Sequence, residues 1–170
     1  DGMDAGLRLG ESLDEHMVAV PVTPPIEMAV VGSPAYFAKH GLPETPADLM
    51  RHNCLAFRFT SSGTIDRWSF TSPDADERTV VIEPKGSAVF NDDENMLNAA
   101  LQGVGVIKYL DICVRQHLAE GRLVRVLAPW CRPFPGFYLY VPSRAQRPAK
   151  IRALMDFLIE RRKQFEYPSN

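Results

Sequence analysis

The residues whose types and spacing allow chemistry fall into a few small groups. Four hydroxyls, in the run Thr60, Ser61, Ser62, Gly63, Thr64, directly follow a strand-like segment. In open α/β sheets ligands sit beyond the carboxyl ends of strands. A hydroxyl loop in that place can donate to a small anion. Arg8 closes the first strand-like segment and can pair bidentately with a carboxylate. The plain alternatives are a solvated loop and a surface arginine. Asp92, Asp93 and Glu94 could do acid–base work. They also stand at the start of a helical pattern, where the macrodipole alone favours carboxylates. Ser33, between Gly32 and Pro34, fits a helix N-cap better than a nucleophile, because proline suits the first helical position. No G-x-S-x-G motif is present. Gly103 and Gly105 resemble the beginning of a dinucleotide fingerprint. The third glycine is missing and the pair precedes a strand, the wrong order for a phosphate cradle.

Metal and redox chemistry find little footing. The cysteines are Cys54, Cys113 and Cys131, an odd set without a C-x-x-C pair. Free thiols in a reducing compartment follow, and Cys54 and Cys113 read as small core residues. His16, His40, His52 and His117 lack the spacing of metal ligands. No cofactor and no metal site is expected.

Composition narrows the classes further. The 170 residues carry 19 basic and 21 acidic side chains, a net charge of −2. Such a balance gives no electrostatic footprint for DNA or RNA. The apolar fraction of 45% is spread along the chain and can build a core. No apolar run approaches the roughly 18 residues of a membrane span. The first residues show neither the basic nor the apolar region of a secretion signal, and the unpaired thiols favour a reducing compartment, so a cytoplasmic location is the expectation.

Behind these residues the pattern alternates strands and helices. Short β-branched runs at the first ten residues, Met17–Val22 and Met28–Gly32 read as strands. Two short helices follow, one capped at Ser33 and ended by Gly41, one capped at Thr45 with Asp48 in a capping box and closed by Asn53. Cys54–Phe59 alternates as a half-buried strand. Arg67–Phe70 and Thr79–Ile82 flank a turn and suggest a hairpin. Strands at Ser87–Phe90, Val104–Leu110 and Leu123–Leu127 enclose helices capped by Asp92 and Asp111. Tyr138–Val141 is the last strand. The closing helix carries Ile151, Leu154, Met155, Leu158 and Ile159 on one stripe. This alternation implies an α/β fold with a largely parallel sheet.

The segments Asp4–Glu11 (DAGLRLGE), Met17–Val22 (MVAVPV), Val30–Gly41 (VVGSPAYFAKHG) and Thr45–Leu49 (TPADL) come in a fixed order. They are followed by CLAFRF, RWSF, FNDDE, ALQGVGV, GRLVRVLAPW and YLYVPSR. This succession resembles the effector-binding domain of LysR-type transcriptional regulators, over essentially all 170 residues. The resemblance implies a type II periplasmic-binding-protein-like fold, with two α/β lobes joined by crossing strands near Ala29–Gly32 and Leu139–Ser143. Residues 1–25 with 142–170 would form a first lobe, incomplete because the family normally begins it earlier, and 26–141 the second. An open sheet edge in the first lobe is then expected, of the kind that recruits partners. By position, the effector-binding residues would be Arg8, Thr60, Ser61, Ser62, Gly63, Thr64, Asn91, Asp92, Ser33 and Pro34. The implied function is ligand sensing without catalysis. The ligand would be a small-molecule effector, for which the hydroxyls and arginine favour a carboxylate. A homodimer or higher oligomer is implied. DNA would be reached only through an N-terminal winged helix–turn–helix outside these residues, and no membrane is involved. Two other readings stay open at this point, an exported solute-binding protein of the same fold and a small α/β enzyme with a nucleophile–base pair in a cleft.

Overall fold

The structure is a computed structural model and describes residues 4–10, 17–142 and 148–165. In chain order the first strands are β1 (Gly6–Leu9), β2 (Met17–Pro21) and β3 (Met28–Gly32), then helix α1 (Pro34–His40) and a 3-10 turn at Pro46–Arg51. Strands β4 (Ala56–Phe57), β5 (Trp68–Thr71), β6 (Thr79–Ile82) and β7 (Val89–Phe90) follow. Helix α2 (Asp93–Leu101), β8 (Ile107–Leu110), α3 (Asp111–Ala119), β9 (Val124–Val126), β10 (Phe137–Pro142) and α4 (Ala149–Arg161) complete the order.

Local chemistry sets the helix ends. Ser33 Oγ accepts the Tyr36 N–H at 3.1 Å, and Gly41, at φ +80°, donates its N–H to Phe37 O at 2.8 Å. A left-handed stop of this kind favours glycine. The Asp48 carboxylate accepts the Thr45 N–H at 2.9 Å, but the segment it starts is a 3-10 turn ending at Arg51, before Asn53. Asp92 Oδ1 accepts the Asn95 N–H at 2.8 Å. Asp111 is no cap. It is the first residue of α3, and its carboxylate is turned inward.

The chain divides into two compact units, Asp1–Ile26 with Pro133–Asn170, and Glu27–Arg132. Strand β10, which covers most of the segment expected to cross between lobes, belongs to the first unit, where both its edges pair antiparallel, with β1 (Leu7 opposite Leu139) and β2 (Val20 opposite Leu139). In this unit Val22, Leu139, Val141 and Ile151 form the core, with Met155 and Leu158 packed against it. The rest of the α4 stripe is uncovered. Leu154 and Ile159 remain 39% and 46% exposed, because a three-stranded sheet spans only part of it.

The second unit corrects the largely parallel sheet. Its central strand β3 pairs antiparallel with β8 on one side and with β9 on the other. A parallel bridge, Cys54 to Val106, then attaches the β4 segment to β8, and β4 pairs parallel with β7. Strands β7, β4, β8 and β9 therefore run one way and β3 runs against them. Alternate residues of β3 face two separate cores, as the period-2 pleat requires. Val30 packs with Tyr36, Phe37, Leu49, Trp68 and Phe70, and Ala29 and Val31 pack with Leu55, Met96, Ala100 and Val114. Fully burying a side chain of the size of Phe70 stabilises by roughly 1.5–3 kcal/mol. Cys54 and Cys131 are buried in this unit, whereas Cys113, read as a core residue, is exposed on α3.

Candidate functional site

The strand directions of the second unit decide which residues can meet. Met28 lies opposite Leu110 and Val30 opposite Val126, so β8 and β9 end where β3 begins. The parallel strands β4 and β7 end at the same edge. Loop Thr60–Thr64 follows β4, and Asn91 and Asp92 follow β7, so these residues share one sheet edge with Glu27 and Asp111. Ser33 and Pro34 follow the far end of β3, where Gly32 lies opposite Val124. They sit at the opposite edge. Arg8 belongs to the other unit.

The hydroxyl loop is a closed turn. Phe59 N–H donates to Thr64 O at 2.9 Å and Gly63 N–H to Phe59 O at 2.8 Å, with Gly63 at φ +71°. Arg58 Nη1 donates to Gly63 O at 2.8 Å. Ser62 and Thr64 hydroxyls bond each other at 2.7 Å, while Thr60 and Ser61 are exposed and make no side-chain hydrogen bond among the described residues. A depression of about 610 Å³ adjoins the turn, lined by Phe59, Thr64, Ile65, Asp66, Arg67 and Glu83.

The remaining expected residues have structural occupations. Ser33 is buried and spends its oxygen on the α1 cap. Pro34 lines a second depression of about 560 Å³ with Asn98, Gln102 and Arg122. Asp92 caps α2, and Asn91 is exposed beside it. Arg8 is exposed, its guanidinium 6.0 Å from the centre of the Tyr140 ring.

The structure adds charged groups that sequence reading missed. Arg125 Nη1 donates to Glu27 Oε1 at 2.8 Å, and Arg115 Nη2 to Asp111 Oδ2 at 3.2 Å. Lys108 Nζ donates to Ser69 O at 2.9 Å and lies 5.2 Å from the Phe70 ring centre. Burial lowers the Lys108 pKa and raises that of Asp66, and the charge of each opposes the other's shift. Glu27 and Arg125 are far apart in the chain, and no local signal announces their pairing.

Thiol chemistry is muted at neutral pH. Burial pushes the Cys54 thiol up to about 12 and raises those of Cys113 and Cys131. Among the described residues no group of three or more His, Cys, Asp or Glu side chains could hold a metal ion. No helix among them is long and apolar enough to cross a membrane.

Comparison with known proteins gives one consistent answer. The family described as LysR substrate binding domain matches residues 1–163. The chain is 44% identical over 158 residues, 93% of its length, to a protein of Pseudomonas aeruginosa assigned as a transcriptional regulator, and covers 51% of that protein. It is 34% identical over 157 residues, 92% of its length, to the HTH-type transcriptional regulator YcaN of Escherichia coli K12, covering 50% of it. Among solved structures it resembles CrgA of Neisseria meningitidis, described as a LysR-type transcriptional regulator. There the TM-score is 0.74 at 31% identity, over 92% of this chain and 51% of that one. The chain thus spans about half the length of these two relatives.

Proposed function

The chain belongs to the LysR substrate-binding domain family, and from that premise we propose that it is the effector-sensing and dimerisation part of a LysR-type transcriptional regulator. The fold in this reading is type II periplasmic-binding-protein-like, two lobes joined by two crossing strands. A small-molecule effector in the cleft of such a fold favours one lobe arrangement, by no more than its differential affinity for the two states. An N-terminal winged helix–turn–helix makes the contact with DNA, and the effect of ligand on DNA is a coupling between two sites. The protein acts as a homodimer or higher oligomer in the cytoplasm and transforms nothing.

The observation that carries this reading is the match over residues 1–163, shared with relatives named as transcriptional regulators. Those names favour a regulator over an exported solute-binding protein. The shared sheet edge supports Thr60–Thr64, Asn91 and Asp92 as effector-facing residues, and Arg8, which lies in the other unit, stays in the set on the family resemblance alone. Ser33 and Pro34 stand at the opposite end of β3, away from this edge.

The test joins ligand to DNA. A screen of small carboxylic acids is read first as a thermal shift. A ligand at a hundredfold excess over its Kd stabilises by about 2.7 kcal/mol, a rise of roughly 5–10 °C for a chain of this size. An acid that raises the melting temperature must then change the DNA affinity of the natural-length protein. Binding that leaves DNA affinity unmoved, or a natural-length protein that ignores DNA, refutes the reading.

A further inference from the structure

The depression of about 610 Å³ beside the hydroxyl turn holds three charged side chains, Asp66, Arg67 and Glu83. Arg67 shares the hollow with two carboxylates, yet no ion pair joins it to either. Other arginines of this unit take a nearby carboxylate, Arg51 with Asp48, Arg122 with Glu120 and Arg132 with Glu77. Charges of both signs therefore line one concave surface without closing on each other. Ile65 and Phe59, which is 42% exposed, add apolar surface to the same lining, and Thr64 adds a hydroxyl. A hollow of this size is within the range of small-molecule sites, roughly 300–1,000 Å³.

Unpaired charges of both signs beside apolar surface are the complement of a small zwitterion. We propose that this depression binds a free α-amino acid. Its ammonium meets Asp66 and Glu83, its carboxylate takes the planar fork of Arg67, and its side chain lies on Phe59 and Ile65. The fork geometry of arginine suits a carboxylate bidentately. Asp66 is partly desolvated, with the Lys108 charge opposing the shift, and an arriving ammonium adds to Lys108 in favouring the ionised carboxylate. The inference rests on the effector-sensing reading of this edge and names the ligand class. It adds a required cationic group to the carboxylate expected from the hydroxyls and Arg8.

The experiment is calorimetric titration of the protein with the standard amino acids. Each compound that binds is paired with its 2-hydroxy acid, which lacks the ammonium, and its primary amine, which lacks the carboxylate. At least one amino acid should bind, and each truncated partner should bind at least roughly tenfold more weakly, the loss expected of one charged hydrogen-bonding group. Arg67→Gln and Glu83→Gln change exposed side chains, so the unliganded melting temperature should hold while affinity falls by a similar factor. Asp66→Asn provides a third, partly buried variant. No binding by any amino acid, equal binding by the hydroxy acid, or affinity indifferent to both surface substitutions overturns the proposal. A hydroxy acid that binds as tightly and alters DNA affinity removes the amino-acid class and leaves the sensor standing. An amino acid that binds through Arg67 without altering DNA affinity does the reverse.

Discussion

Asp111 and Glu27 hold each other by two hydrogen bonds across a long stretch of chain. The Asp111 carboxylate accepts the Glu27 N–H at 3.1 Å, and the Asp111 N–H donates to Glu27 O at 3.0 Å. Each residue also carries an arginine, Arg115 on Asp111 and Arg125 on Glu27. This network pins the first residue of the second unit to the junction of β8 and α3.

Asp111→Ala should therefore be costly. Asp111 is 1% exposed, and its loss strands a backbone N–H and leaves Arg115 without this partner. Removing one member of a buried charged pair costs about 3–5 kcal/mol, and the partial exposure of Arg115 reduces this to about 2 kcal/mol or more. Asp111→Asn keeps an acceptor for the Glu27 N–H and should lose less. Urea denaturation of both variants checks the order, and equal losses would contradict it.

Gly105 is a place where backbones must touch. A Cβ there would stand 2.2 Å from Asn53 O, the oxygen that accepts the Val106 N–H at 2.9 Å and helps join the β4 segment to β8. Gly105→Ala should destabilise by about 1–3 kcal/mol, the usual penalty for forcing extra atoms into a packed site. Gly6→Ala, where a Cβ meets nothing within 4 Å, is the control and should be near neutral. A thermal melt of each variant decides.

The same glycine shows what a sequence can and cannot reveal. From the sequence, Gly103 and Gly105 are legible as a glycine pair ahead of a strand, while the close approach of Gly105 to Asn53 is a contact only the fold identifies. Caps at Ser33 and Asp92 are legible because donor and acceptor lie within three residues. The direction of β3 is not legible, since its partners Ile107 and Val124 lie far along the chain and the alternation of helices and strands is the same for either direction. The hydroxyl turn is legible as a loop. Arg67 reads only as the first residue of a hairpin strand, Asp66 falls between expected elements, and Glu83, just after β6, meets them only in the fold. The ordered succession of family segments survives these losses because it depends on many positions at once.

Acid should weaken the packing around His52. Its pKa is lowered by burial first, then by the charges of His40 and Arg51, with Asp48 opposing. Tyr36 stacks on His40 with ring centres 4.5 Å apart and approaches His52 at 5.8 Å, so both imidazoles crowd one ring. Between its folded pKa and 6.5 the unfolded chain binds more protons at this site, so stability rises with pH through that window and is lost as pH falls below about 6.5. His52→Gln should flatten this part of the stability–pH curve measured by urea unfolding. An unchanged slope would place the acid sensitivity elsewhere.

The three thiols should separate in rate of modification. Cys113 is exposed on α3, whereas Cys54 and Cys131 are buried. The thiolate is the reacting form, so raised pKa values slow all three. Cys54, pushed up to about 12 and 1% exposed, has almost no thiolate and little access. A chromogenic disulfide reagent at pH 8 should modify one thiol first, with Cys54 and Cys131 following only as the second unit opens. Cys113→Ser should abolish the early phase and leave the slow one intact. An early phase that persists in this variant would mean that the packing over Cys131, at 8% exposure, opens far more readily than its cluster with Trp68 and Phe70 implies.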